Sequence, residues 1–156
     1  MKKAAAPKSP DAITLLRADH AEVLAMFEKF EKMKANGPKK KALVDQICNE
    51  LTIHTAIEDE ILYPAARGAI KDADLMDEAD VEHAGAKDLI QQLRDQNPGD
   101  EHYDAKVTVL GEYIKHHVKE EHSEMFPKIK KSKLDIKALG EQLFERKQQM
   151  KAELAR

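Results

Sequence analysis

His54 and Glu58 stand four residues apart in "NELTIHTAIEDEILYP", and His117 and Glu121 repeat that spacing in "EYIKHHVKEEHSEMFP". A proline follows each glutamate by six positions, at Pro64 and Pro127. Two more histidines keep the same register: His20 lies 34 residues before His54, and His83 lies 34 before His117. Each of them follows an acid, Asp19 or Glu82. The chain therefore reads as two tandem units, each with one lone histidine and one His-x3-Glu.

Residues i and i+4 on a helix differ by about 40° around the axis and about 6 Å along it. Each His–Glu pair then shares one face, and its neighbours make that face apolar. Ile47, Leu51, Ile61 and Leu62 flank the first pair, Leu110, Ile114, Met125 and Phe126 flank the second, and His20 falls on the stripe of Leu16, Leu24 and Phe27. An ionised carboxylate in an apolar core needs a partner or a proton, and no lysine or arginine sits on the inward stripe beside either glutamate. Cations bound to all six groups resolve the conflict. Helical bundles build di-metal sites from carboxylates and histidines on facing helices. The spacing suits two metals, each with two histidines, and both glutamates bridging.

One such pair would be weak evidence. Seven histidines and sixteen glutamates in 156 positions give about 0.7 His-x3-Glu pairs by chance, and His116/Glu120 is a third match of that kind. A lone histidine on an apolar face is also more often a core residue than a ligand. The conjunction carries the reading: two pairs, two extra histidines at one offset, and the same aromatic-proline ending. Imidazole and carboxylate without thiolate disfavour a Cys-rich structural zinc site. Iron, manganese, zinc and copper fit chemically, with iron preferred for a carboxylate-bridged pair. About four protein bonds per metal leave octahedral ions with open positions for small ligands.

The elements that must hold these groups are helices. Ala, Leu, Lys, Glu and Gln abound, glycine and proline number six each, and strand alternation is nearly absent. Four breaks divide the chain: "NGP" at Asn36–Pro38, "RGAIKDAD" at Arg67–Asp74 with its glycine stop, "NPGDEH" at Asn97–His102 and "KKSKLD" at Lys130–Asp135. Short loops force consecutive helices antiparallel, so the expected fold is all-α, an up-down-up-down four-helix bundle with an additional C-terminal helix. Residues 1–10 are expected to be a disordered segment, 11–131 the bundle, and 132–156 a helix packed on it.

The formal charge of -3 comes from nearly balanced charges, which argues against nucleic acid as a partner. No apolar run reaches the ~18 residues of a membrane span, and the opening "MKKAAAPKSPDA" lacks the apolar core of a secretory signal. The single Cys48, among Leu43, Val44, Ile47 and Leu51, reads as a small core residue in a reducing compartment. A soluble, cytoplasmic protein is expected.

These motifs resemble the hemerythrin-like HHE cation-binding family. The resemblance runs from "LLRADH" through "IHTAIEDEILYP", "VEHAG" and "HHVKEEHSEMFP" to "LGEQLFERKQQ", almost the whole chain. It implies a four-helix bundle around two non-haem iron ions, carboxylate-bridged and oxo- or hydroxo-bridged. Position by position, the metal ligands it implies are His20, His54, Glu58, His83, His117 and Glu121. The pattern departs from the oxygen-carrying hemerythrins of marine invertebrates, which have His-x3-His on the third helix and His-x4-Asp on the fourth. Here Lys87 stands four residues after His83, and Glu121 four after His117. The lost fifth histidine implies two metal sites more alike and more open. The pattern is more similar to bacterial HHE proteins linked with nitric oxide, peroxide or iron supply.

Around the ligands, Tyr113 and Glu50 each lie one turn before a ligand histidine and are candidates to move protons. Asp19 and Glu82 are candidate partners for an imidazole N–H, although 100° of rotation sets them off the ligand stripe. Tyr63 and Phe126 are expected to pack the bundle end, the prolines after them to bend or terminate their helices, and His102, His116 and His122 to be exposed. The expected function is binding of, or reaction with, O2, NO or H2O2, including catalase-like peroxide decomposition. A non-enzymatic oxygen- or iron-binding sensor is the alternative. The redox partner is not legible in the sequence.

Overall fold

The computed structural model describes residues 9–155, all helices and connections, so the expectation for residues 1–8 lies outside the described residues. Helix α1 spans Ala12–Lys32 and α2 spans Pro38–Ile57. A π turn, Glu58–Leu62, joins α2 to α3 at Tyr63–Ile70. After a short connection come α4, Ala73–Arg94, and α5, Tyr103–Glu120. A second π turn, Glu121–Met125, leads into α6 at Phe126–Lys131, and α7 spans Ile136–Leu154. The rods α1, α2–α3, α4 and α5–α6 form the up-down-up-down bundle, and α7 packs against α1, α2 and the first π turn.

Local chemistry sets the boundaries. Asp11, Asp72 and Asp135 cap α1, α4 and α7 by accepting the N–H of Thr14, Leu75 and Ala138, satisfying amides the helix leaves unpaired. Pro38 opens α2, where its missing N–H costs nothing. One expected stop moves. Gly68 lies inside α3, and the helix ends instead at Lys71, whose φ of 49° is left-handed. Asp72 begins the next cap at once, so the two rods meet in a tight corner.

Pro64 and Pro127 neither break nor end their helices; the chain passes each in a widened turn. The Tyr63 N–H bonds to the carbonyl of Glu58, and the Phe126 N–H to that of Glu121, each five residues back. A proline has no N–H and crowds the carbonyl four residues earlier, and a π turn is one way a helix absorbs that defect. Both widened turns begin at the glutamates singled out above.

The apolar core comes in two halves. One includes Leu16, Ile57, Leu62, Met76, Phe126 and Leu143, the other Phe27, Ile47, Leu51, Ile90, Leu110 and Val118. Cys48 lies fully buried in the second half. Most of the buried polar groups, His20, His54, Glu58, His83, His117 and Glu121, join in the clusters described next.

Candidate metal centre

The six groups converge. Glu58 is 0% exposed and Glu121 1%, so both carboxylates are cut off from water. All four imidazoles turn Nε2 inward: the Nε2 atoms of His20 and His54 are 3.0 Å apart, and those of His83 and His117 are 3.1 Å apart. Glu58 Oε1 lies 3.1 Å from His54 Nε2 and 3.2 Å from His83 Nε2. Glu121 Oε1 lies 3.2 Å from His20 Nε2 and 3.1 Å from His117 Nε2. Each carboxylate therefore reaches from one histidine pair to the other.

The outward nitrogens explain why Nε2 is free to face in. His54 Nδ1 meets Asp19 at 3.5 Å, His83 Nδ1 meets Asp59 at 2.7 Å, and His117 Nδ1 meets Glu82 at 2.8 Å. A carboxylate on Nδ1 holds the proton there and leaves the Nε2 lone pair for a ligand. His20 Nδ1 instead meets His122 Nε2 at 2.8 Å, so His122, expected at the surface, is half-buried in the network. Asp19 and Glu82 take the roles expected of them, each orienting the histidine of a neighbouring helix. His116 and His102 are exposed. The third match, His116/Glu120, forms a 2.8 Å ion pair outside the core.

Tyr63 is the residue that sequence spacing misses. It is 2% exposed, and its hydroxyl lies 3.2 Å from His83 Nε2, 3.0 Å from His117 Nε2 and 3.2 Å from Glu121 Oε2, to which it donates. Residues five apart on an α-helix diverge by about 140°, but across a π turn they stack. The π turn thus swings Tyr63 onto the face of Glu58. The proline after Tyr63 was the signal available in the sequence. Phe126 holds the matching position in the second half and stacks on His20 at 6.1 Å without a polar group. The two halves also differ where Asp59 matches His122, so the two histidine pairs are less alike than the lost fifth histidine implies.

The donor set fits a cation pair. Glu58 Oε1 and Oε2 and Glu121 Oε1 are buried and accept no directed hydrogen bond, a costly state for carboxylates. Two lone pairs facing each other at about 3 Å repel unless something positive lies between them. Ligands bound cis at about 2.1 Å to one ion stand about 3 Å apart, the spacing seen here. His20, His54, Glu58 and Glu121 can hold one ion, and Glu58, His83 and His117 the other. Without metal, protons take that place. Burial opposes a charge on His54, but Glu58 and Asp19 outweigh it and push the imidazole up to about 10. Burial likewise works against charging Glu58, but the charge on His54 beside it does most to hold it well below the usual carboxylate range. Burial and the two glutamates push the Tyr63 phenol well above its ordinary value, so it is a neutral donor.

A cavity of about 10 Å³ borders all four histidines, room for about one water-sized molecule. Val23, Leu51, Ile114 and Val118 give it apolar walls. Tyr113 and Glu82 line both this cavity and an outer groove of about 450 Å³. Tyr113 is 47% exposed, and its ring packs over Gly85, where a Cβ would lie 3.5 Å from Cε2. Glu50 is half-buried, and His54 turns its Nδ1 to Asp19 instead.

A four-helix bundle with paired histidines and shared carboxylates in its core defines a cation-binding helical protein. The profile of the hemerythrin HHE cation binding domain matches residues 11–129, and the chain belongs to that family. Among solved structures, a hemerythrin HHE cation binding domain-containing protein from Mycobacterium kansasii has the same fold. Its TM-score is 0.78 at 24% identity, over 92% of this chain and 89% of that one. A protein of Nostoc sp. named DNA nickase is 29% identical over 117 residues, 74% of this chain. The chain spans about a third of that protein's length, 32%. No helix among the described residues is long and apolar enough to cross a membrane.

Proposed function

We propose that the chain holds two non-haem iron ions and uses them to react with H2O2, O2 or NO, with peroxide decomposition as the favoured activity. His20 and His54 would hold one ion and His83 and His117 the other, with Glu58 and Glu121 shared between them. The carrying observation is the convergence of four Nε2 lone pairs and three unpartnered carboxylate oxygens in a buried layer. Bound iron supplies electrons and open coordination positions. Peroxide disproportionation needs no outside reductant, because one H2O2 is oxidised to O2 while another is reduced to water.

The protein's own groups then do three things. The cavity bordered by Leu51, Ile114 and Val118 admits a small neutral molecule and excludes bulk water. Tyr63, neutral and 3.0 Å from His117 Nε2, donates a hydrogen bond into the layer and orients what binds there. Glu82 touches His117 Nδ1 and lines the outer groove, so it is placed to pass protons outward. Glu82 is better placed for this than Glu50, and Tyr113 acts through its ring at the mouth of the cavity.

The test is O2 evolution from H2O2 by the iron-loaded protein, with stopped-flow mixing of the reduced protein with O2 and NO. Evolution of O2, with no reversible oxy complex, supports the reading. A long-lived oxy band removed by vacuum, with no O2 from peroxide, would make it an oxygen-binding protein instead.

A further inference from the structure

Lys147 belongs to α7, beyond the residues 11–129 that the family profile matches. Its ammonium nevertheless lies 2.5 Å from Asp19 Oδ1, and Asp19 Oδ2 faces His54 Nδ1 at 3.5 Å. Both members of the ion pair are largely buried, Lys147 at 13% and Asp19 at 10% side-chain exposure. We propose that Lys147 is a positioning residue for the metal centre, acting through Asp19 on His54, so that the C-terminal helix sets how tightly one of the two ions is held. This rests on the reading of His54 as a metal ligand.

The other orienting carboxylates show what is particular here. Asp59 also sits between a histidine and a lysine, at 2.7 Å from His83 Nδ1 and 2.7 Å from Lys87. That lysine comes from α4, within the bundle, and is 55% exposed. Water can replace most of what Lys87 contributes, because exposed pairs are screened. Asp19 has far less water to draw on, its side chain being only 10% exposed. A buried carboxylate that loses its paired cation is free to turn away, and only a fixed carboxylate orients the imidazole. Lys147 supplies that cation from 128 residues away in sequence.

The helix is anchored well enough to act as a fixed mount. Leu139 and Leu143 enter the first half of the core. Gly140 lies so close to the start of α1 that a Cβ there would meet the Pro10 carbonyl at 2.2 Å. Arg146, next to Lys147, grips Glu60 of the first π turn at 2.8 Å. Adjacent cations of α7 thus hold α1 and the π turn that carries Glu58.

The test titrates cobalt(II) into metal-free wild type, Lys147→Met, Lys147→Arg, Asp19→Asn and the Lys147→Met/Asp19→Asn double variant, following the visible ligand-field bands. Methionine keeps the length and packing of the stem, and far-ultraviolet circular dichroism checks the fold. The expected result is about tenfold weaker binding of one cobalt per chain in Lys147→Met, with the other unchanged. Lys147→Arg should restore most of it, and the double variant should be no worse than Asp19→Asn alone, because the lysine acts through the aspartate. Unchanged or tighter binding in Lys147→Met, or additive losses in the double variant, would overturn the proposal. Nitrogen-15 NMR of the metal-free protein gives a second readout. The His54 Nδ1–H, held against Asp19, should give a downfield, slowly exchanging proton resonance in wild type and lose it in Lys147→Met; the same resonance in both would also overturn it. Wild type that binds no cobalt would overturn the metal reading, while the NMR result still decides the role of Lys147.

Discussion

Tyr63 and Phe126 occupy matching positions, five residues after Glu58 and Glu121, yet only Tyr63 brings a hydroxyl to the histidines, 3.0 Å from His117 Nε2. Phe126 lays its ring parallel to that of His20 at 6.1 Å and offers no polar atom. The two-fold repeat therefore ends in chemical asymmetry. The His83/His117 side has a phenol and two orienting carboxylates, while the His20/His54 side has Phe126, one carboxylate and His122.

Tyr63→Phe should expose that asymmetry. The ring still fills its place against His83, so the fold should hold. The hydroxyl beside the Nε2 atoms of His83 and His117 is lost together with its bond to the shared Glu121, and metal affinity should fall about 10- to 100-fold on the His83/His117 side and less on the other. Isothermal titration calorimetry would resolve the two binding steps. Equal weakening of both steps would contradict that difference.

Metal removal should lower stability without dissolving the helices. Ligand binding to the native state alone stabilises it by about 2.7 kcal/mol at a hundredfold excess over Kd, worth about 5–10 °C in melting temperature for a chain of this size. The apolar halves on either side of the polar layer should keep helix content nearly constant. Thermal melts of chelated and reloaded protein, followed by circular dichroism, check both points.

That gain should depend on pH with a definite sign. His54 rises from 6.5 to about 10 in the metal-free fold, because Glu58 and Asp19 outweigh the cost of burial. Its charged form therefore stabilises the metal-free protein fully below about pH 6.5, and the contribution is lost as pH rises towards 10. Bound metal replaces that proton and does not lose it. The difference in melting temperature between loaded and metal-free protein should widen from pH 6.5 to 9, and metal uptake near pH 7 should release protons into a weak buffer.

Cys48 gives an independent check on the core. Burial pushes its thiol from 9.0 up to about 11, and the side chain is 0% exposed. Reaction with iodoacetamide at pH 8 should be negligible in the native protein and rapid in denaturant. The stability tied to the neutral thiol is present below about pH 9 and fades as pH rises through 11. Rapid native-state alkylation would show that α2 does not bury this residue.

The helices and the six converging groups were legible because period and spacing report which residues share a face. Tyr63 and His122 were not, because the π turns change the phase at the very residues that matter. Asp59 follows Glu58 directly and gave no periodic signal of its own. Gly68 looked like a stop, but packing carried α3 past it to Lys71. Lys147 meets Asp19 only through tertiary packing, across 128 positions that no local pattern spans.

The most direct measurement of the central claim is iron content per chain, with anomalous diffraction at the iron edge, for wild type, Glu58→Ala and Glu121→Ala. The account predicts two irons in the wild type, one beside His20 and His54 and one beside His83 and His117, each touching both glutamates. Each alanine variant should lose metal because a shared ligand is gone. Two irons retained at full affinity without Glu58 or Glu121, or a wild type with no iron between the histidines, would contradict it.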